Sequence, residues 1–126
     1  MKYLLDTHAI IWSINQKFGK LSSNAESIIM DTNNQIYYSS ASIWEIAIKI
    51  SLGKLNLSFP DLLTELKKVG FTELHSESEY LSLIIDLPQI HKDPFDRLLI
   101  ATAKSEDMIL LTTDENIQKY DVKWVW

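Results

Sequence analysis

Short apolar segments alternate with longer segments of helical periodicity along the whole chain. Each short segment is rich in apolar and β-favouring residues, which is typical of a strand buried inside a sheet. The strands predicted in this way span residues 2–5, 36–39, 71–74, 108–112 and 122–126.

Between these strands, apolar residues recur at helical spacing. Helices are predicted over 7–14, from 23, over 42–51, from 60 to about 70, from 76, from 94 and from 115, with a loop at 16–20. Ser23 and Ser76 each precede a glutamate by three residues, which is the spacing of a capping box. Pro94 suits the first helical position, and Asp93 suits the N-cap before it.

The alternation of strands and helices predicts an α/β fold. We expect a three-layer α/β/α sandwich around a mainly parallel sheet of roughly five strands. The 126 residues contain no repeat, low-complexity tract or linker-like segment, so we expect a single domain over residues 1–126.

Four acids are placed at one edge of this predicted sheet, where the carboxyl ends of parallel strands meet and ligands bind. Asp6 follows the first strand, and Glu45 lies in the first turn of the helix after the second strand. Asp96 lies in the first turn of the helix that leads into the fourth strand, and Asp114 lies just past that strand. We therefore expect four carboxylates from distant parts of the sequence to converge.

Each acid also has a purely structural explanation. Asp6, Asp96 and Asp114 suit helix starts, where carboxylates pair with free amides and the helix dipole. Glu45 could close a capping box or pair with a lysine four residues on. Capping does not require four acids at one edge, however, and like charges in one cleft lower stability. A hard cation with oxygen ligands removes this conflict, which favours Mg²⁺ or Mn²⁺ over zinc.

Charge and composition narrow the function further. The net charge of −5 argues against a simple nucleic-acid binder, unless cations held by the acids reverse the charge locally. Without cysteine, a thiolate nucleophile is excluded and a metal must be bound by oxygen or imidazole. No apolar run approaches the roughly 20 residues of a membrane span, and an acid at position 6 comes too early for a signal peptide. We therefore expect a cytoplasmic protein that does not bind membranes.

Four segments of the sequence resemble the motifs of the PIN-domain family. They are LLDTH at 4–8, SSASIWEI at 39–46, HKDPFDRLLIATA at 91–103 and LLTTD at 110–114, and the third is the most specific. The resemblance runs in order along nearly the whole chain. More narrowly, the segments are similar to those of VapC-type toxins of bacterial toxin–antitoxin modules.

This resemblance implies a metal-dependent ribonuclease that cleaves RNA with Mg²⁺ or Mn²⁺ and is blocked by a cognate antitoxin protein. The residues that match the catalytic and metal-binding acids of the family are Asp6, Glu45, Asp96 and Asp114. Asp114 matches the most variable of these positions. Thr7 and Thr112 match hydroxyl positions that often support the metal ligands.

Cationic side chains near the same edge are candidate RNA contacts. Arg97, the only arginine, is a candidate phosphate contact, with a salt bridge to a neighbouring acid as the alternative. Lys49, His91 and Lys92 would add a small basic rim to an acidic protein.

The helix over 42–51 is apolar on two sides, and Trp12, Trp124 and Trp126 add further apolar surface. Core packing is the simpler explanation of these side chains. A homodimer or antitoxin contact is the functional alternative, and the family resemblance favours both.

Other functions fit the sequence less well. A phosphoacceptor signalling domain would need an acid pair beside Asp6, and a haloacid-dehalogenase-type phosphatase would need a second aspartate at the position of His8. The three glycines are scattered, so there is no phosphate-binding loop for ATP. The remaining alternative is a noncatalytic PIN-like interaction module that works through partner binding, against which the complete set of four acids argues.

Overall fold

The computed structural model describes residues 1–126, apart from the side chain of Lys17. The described residues form five strands, which are β1 Lys2–Leu5, β2 Gln35–Ser39, β3 Thr72–Leu74, β4 Ile109–Leu111 and β5 Trp124–Val125. They also form seven α-helices, which are α1 Thr7–Ile14, α2 Ser23–Met30, α3 Ser40–Ser51, α4 Phe59–Lys68, α5 Ser78–Ile84, α6 Pro94–Glu106 and α7 Glu115–Gln118. All the predicted strands and helices are therefore present.

The strands form one parallel sheet in the order β3-β2-β1-β4-β5. β1 lies at the centre, where Tyr3 pairs with Ile36 of β2 on one side and with Ile109 of β4 on the other. Because every strand runs in the same direction, the carboxyl ends of β1, β2 and β4 lie at one edge of the sheet. The parallel sheet predicted from the sequence is thus confirmed.

Both faces of the sheet are buried, because successive residues of a strand point to opposite faces. Leu4 and Leu110 pack in one apolar cluster with residues of α6 and α7, and Ile84 at the end of α5 packs against it. Leu5 and Leu111 pack in another cluster with residues of α1, α2, α3 and α4. All four leucines are fully buried. The predicted α/β/α sandwich is confirmed, with four helices on one face and three on the other among the described residues.

One helix boundary that affects the site differs from the prediction. α3 begins at Ser40 rather than at Ser42, because the hydroxyl of Ser39 at the end of β2 accepts a hydrogen bond from the backbone N–H of Ala41 and caps the helix. Glu45 therefore lies in the second turn of α3, and its expected place in the first turn is wrong.

Three smaller predictions also need correction. Ser22, rather than Ser23, caps α2, and its hydroxyl accepts from the backbone N–H of Ala25. α5 begins at Ser78, after an N-cap Glu77 whose side chain makes no capping bond, so the predicted start at 76 is wrong. The predicted loop contains a turn of 3₁₀-helix at Gln16–Phe18.

The start of α6 agrees with the prediction. Pro94 is its first residue, and Asp93 Oδ1 accepts hydrogen bonds from the backbone N–H groups of Phe95 and Asp96. None of the helices in the described part of the chain combines the length and apolar character needed to cross a bilayer.

Candidate active site

A cleft of about 250 Å³ opens at the carboxyl edge of the sheet. Its walls come from the end of β1, from α3, from the start of α6 and from the segment after β4. The residues that line it are Asp6, Thr7, His8, Glu45, Lys49, His91, Asp93, Asp96 and Asp114. The structure therefore brings together all four acids that the sequence places at this edge, although they are far apart along the chain.

Asp6 is buried at the bottom of this arrangement, with 3% of its surface exposed. Its Oδ1 accepts a hydrogen bond from the backbone N–H of Ala9 at 2.8 Å and thereby caps α1. Its Oδ2 accepts a hydrogen bond from Thr112 Oγ1 at 2.6 Å, across 106 residues of sequence. Burial raises the pKa of Asp6, and the bonds from Thr112 and Ala9 oppose that rise. Thr112 thus holds a buried carboxyl group in one orientation.

Glu45 reaches the cleft from α3. Thr7 Oγ1 donates a hydrogen bond to Glu45 Oε1 at 2.7 Å, which ties the start of α1 to α3. Glu45 Oε2 lies 3.3 Å from Lys49 Nζ, so the ion pair one turn along the helix is present as well. The alternative capping box with Ser42 is not formed, and Ser42 Oγ is buried without a hydrogen-bond partner among the described residues.

Asp96 is, like Asp6, a carboxyl group in an environment that disfavours its ionised form. It lies in the first turn of α6, and 16% of its side chain is exposed. Burial, followed by the negative charges of Asp93 and Asp114, raises the pKa of Asp96 to about 7. His91 Nε2 lies 3.0 Å from Asp96 Oδ2, and this contact opposes the rise.

The closest grouping of ligand atoms in the cleft is not the predicted one. Among the described residues, His91, Asp93 and Asp96 each offer an atom, and these atoms lie within 4.8 Å of one another. Asp93 was expected only as a helix cap, and His91 only as a member of the basic rim. The spacing of Asp93 and Asp96 across one helical turn indicates their proximity. The approach of His91 depends on an irregular segment before the helix, which has no sequence pattern.

Asp114 completes the cleft and caps a helix at the same time. Its Oδ1 accepts hydrogen bonds from the backbone N–H groups of Asn116 and Ile117 at the start of α7. Its own backbone N–H donates to Thr112 Oγ1 at 3.0 Å. A single threonine hydroxyl therefore links Asp114 to Asp6.

Arg97 does not have either of the predicted contacts. Its side chain is buried, and its guanidinium donates hydrogen bonds to main-chain carbonyl groups and to a tyrosine hydroxyl rather than to an acid. The acceptors are the carbonyl oxygens of Ile84, Leu87, Pro88 and His91 and the hydroxyl oxygen of Tyr120. The expected phosphate contact or salt bridge is wrong, because the side chain turns beneath the segment between α5 and α6. Arg97 supports the cleft by fixing the segment that carries His91.

Comparison with known proteins identifies the family. The family model of the PIN domain matches residues 3–123, which is nearly the whole chain. This chain belongs to the PIN-domain family. PIN domains are generally nucleases that use divalent metal ions. The sequence has no match among curated proteins.

Solved structures with a similar fold agree with the PIN assignment. A chain from the crystal structure of VapBC2 from Rickettsia felis, bound to a DNA fragment from their promoter, has a TM-score of 0.74 at 17% identity, covering 99% of this chain and 98% of that one. A chain from the crystal structure of FitAcB from Neisseria gonorrhoeae has a TM-score of 0.64 at 19% identity, covering 98% of this chain and 96% of that one. A chain from FitAB bound to an IR36 DNA fragment has a TM-score of 0.65 at 18% identity, covering 98% of this chain and 93% of that one. These likenesses establish the fold.

The donor set of this PIN cleft suits a hard divalent cation. It offers five carboxylate side chains and two imidazole rings, and carboxylate oxygens are the ligands that Mg²⁺ and Mn²⁺ prefer. Without a cation, burial and mutual repulsion hold the pKa values of Asp6 and Asp96 above those of exposed carboxyl groups. A bound cation would favour the ionised forms of both groups and relieve the repulsion.

Proposed function

We propose that this PIN-domain protein is a Mg²⁺- or Mn²⁺-dependent endoribonuclease and the toxin of a VapC-type toxin–antitoxin pair. The observation that carries the proposal is the meeting of four sequence-distant acids in one cleft of a PIN fold. Two of them, Asp6 and Glu45, are held by threonine hydroxyls at 2.6 and 2.7 Å. Acids used only as helix caps would not need such second contacts from distant elements.

In this proposal, the metal ligands are Asp6, Glu45, Asp96 and Asp114, bound directly or through water. A divalent cation held there supplies Lewis-acid activation of water and neutralises charge on the phosphodiester. Thr112 and Thr7 orient the carboxylates of Asp6 and Glu45 before any cation binds. The same cation would also allow an acidic protein to bind RNA. A cluster of acids in a protein of net charge −5 would otherwise repel the phosphate backbone.

We further propose that a cognate antitoxin binds this chain, that the chain forms a homodimer, and that it acts in the cytoplasm. Support comes from the fold of the VapBC2 and FitAB chains, whose structures were solved with promoter DNA and with an IR36 DNA fragment, respectively. Exposed apolar side chains also support protein contacts. Trp44, beside Glu45, is 63% exposed and packs edge to face on Phe95, with the ring centroids 5.2 Å apart.

The direct test measures cleavage of RNA by purified protein in Mg²⁺, in Mn²⁺ and in EDTA. We expect cleavage only with a divalent ion, and we expect Asp6→Asn and Asp96→Asn to abolish it while the chain stays folded. Asp61→Asn is the matched control, because Asp61 lies in the first turn of α4 and is exposed outside the cleft. Sequencing RNA ends after brief expression, beside the Asp6→Asn form, would identify the cleaved RNA.

The opposite outcome would favour the noncatalytic alternative. If both cleft variants are folded and cleave RNA at the wild-type rate, the catalytic assignment is wrong. If the wild-type protein cleaves no RNA with either ion, the chain would instead be a PIN-like interaction module that works through partner binding.

A further inference from the structure

A second pocket adjoins the acidic cleft and has the opposite character. Its volume is about 280 Å³, and it shares His8 and Lys49 with the cleft. We call it the lysine pocket, and its wall includes His8, Trp12, Phe18, Lys49, Lys54 and Leu55. None of the described residues that line it is acidic. A pocket lined by cations and aromatic rings therefore lies next to the acidic cleft.

The end of α3 places both lysines on this pocket. Lys49 lies in the last part of the helix, which ends as Gly53 adopts a left-handed conformation with φ of +71°. The backbone N–H of Lys54 then donates to the carbonyl oxygen of Lys49 at 2.9 Å. Leu55 packs against the buried core beneath. The turn thus holds Lys54 close to Lys49 rather than leaving it on a free loop.

The aromatic wall is fixed before any ligand arrives. Trp12 Nε1 donates a hydrogen bond to the carbonyl oxygen of Phe18 at 3.0 Å, and the ring of His8 stacks on Trp12 with centroids 5.4 Å apart. A side chain at Gly19 would collide with the Trp12 indole, so glycine is required there for the ring to lie in this position. A rigid aromatic surface loses little conformational entropy when a flat ligand binds to it.

We propose that the lysine pocket binds one nucleotide of a single-stranded RNA next to the phosphate in the acidic cleft. The aromatic wall contacts the base, and Lys49 and Lys54 contact the backbone phosphate. This inference rests on the proposed ribonuclease function and adds the place where the nucleotide next to the cleft is held. Proteins that bind single strands combine stacking surfaces with cations along the backbone in this way, whereas a paired base has no free face to offer.

The geometry and charge favour an anionic strand as the occupant. His8 and Lys49 line both the pocket and the cleft, so a strand that crosses these two residues can contact both sites. The protein carries 17 acidic residues against 12 lysines and arginines, so its affinity for a polyanion must come from local groups. Lys54 is the better test of the two lysines, because Lys49 also pairs with Glu45.

The test measures binding of a fluorescein-labelled decauridylate by fluorescence anisotropy, in Mg²⁺ and in an Asp6→Asn background that does not consume the probe. We expect Lys54→Ala to raise the Kd about three- to ten-fold and to reduce the slope of log K against log salt by about 0.7, the change for one lost phosphate contact on a single strand. Lys54→Arg should restore most of the affinity. Lys123→Ala is the matched control, because Lys123 is exposed and precedes β5 at the opposite edge of the sheet.

The contact with the base is tested separately by photo-cross-linking of an oligonucleotide that carries 5-iodouridine. We expect the adduct on the tryptic peptide that spans residues 3–17 and contains Trp12. Equal Kd values for Lys54→Ala and Lys123→Ala, or an adduct found only elsewhere, would overturn the lysine pocket as a nucleotide site.

The outcomes separate this inference from the proposed function. If the wild-type protein cleaves RNA but Lys54→Ala binds the probe like the control, the pocket assignment is wrong and the ribonuclease stands. If no RNA is cleaved but the probe binds in a Lys54-dependent way, the ribonuclease is wrong and the pocket stands. If the wild-type protein cleaves no RNA and the Asp6→Asn form does not bind the probe, both are wrong.

Discussion

The surroundings of Asp96 disfavour its ionised carboxylate, so Asp96→Asn should increase the stability of the folded chain when divalent ions are removed. The pKa of Asp96 is raised from 3.8 to about 7, mainly by burial and then by neighbouring carboxylates. The folded chain therefore keeps the proton on this group over a pH range in which the unfolded chain has lost it. Stability contributed by the protonated group is consequently lost as the pH rises from about 4 to about 7.

The size of this loss follows from the shift. At 1.36 kcal/mol per pKa unit, the rise to about 7 corresponds to an upper bound of about 4 kcal/mol. Partial exposure of the side chain and the loss of a favourable helix-dipole interaction, about 0.3–1 kcal/mol, reduce the gain from the asparagine. At pH 8, we expect the free energy of unfolding of Asp96→Asn to be about 2–3 kcal/mol higher than that of the wild-type protein. At pH 4, we expect the two values to be equal.

Urea unfolding followed by circular dichroism, in EDTA at both pH values, measures this difference. Asp61→Asn is again the control, since it removes a first-turn aspartate that is exposed, and it should lower stability slightly at pH 8. A gain of the same size at pH 4 and pH 8 would show that the effect is not electrostatic. The absence of a gain at pH 8 would show that burial and the neighbouring charges do not disfavour the ionised form of Asp96.

Three further changes probe the supports of the cleft. Thr112→Val should lower the free energy of unfolding by about 1.5–3 kcal/mol at pH 8 in urea, because it removes the hydroxyl donor of buried Asp6, whereas Thr112→Ser should stay near wild type. Arg97→Lys should lower the free energy of unfolding by about 3 kcal/mol in the same assay, since several buried carbonyl groups lose their donor. A decrease below about 1 kcal/mol would show that Arg97 does not fix the segment that carries His91. Mg²⁺ at about one hundred times its Kd should add about 2.7 kcal/mol and raise the Tm of the wild-type protein in calorimetry, but it should leave Asp6→Asn nearly unchanged.

The parts of this protein that follow from periodic patterns were predictable from the sequence. Runs of apolar residues indicate the strands, and the parallel arrangement then places the end of each strand at one edge. That rule alone brings Asp6, Glu45, Asp96 and Asp114 into one cleft, even though Glu45 lies two residues further from the start of its helix than expected. Local capping chemistry likewise predicts Asp93 and Pro94 at the start of α6.

The parts that depend on irregular backbone were not predictable. Ser22 takes the place of Ser23, and Ser39 that of Ser42, because nearby serines are equivalent as caps until tertiary packing selects one. His91 lies beside Asp96 in a segment whose carbonyl groups accept hydrogen bonds from Arg97. Carbonyl acceptors are present at every residue, so no pattern of side chains indicates which ones an arginine will bind.

The central position of β1 has a consequence for how the protein is made. Asp6 is synthesised 106 residues before Thr112, whose hydroxyl holds it, and the strand that carries Leu110 beside Leu4 also follows much later than β1. A nascent chain on the ribosome can therefore bury its first strand on one side only. The cleft with all four acids can therefore assemble only after the segment that carries Thr112 and Asp114 has been synthesised.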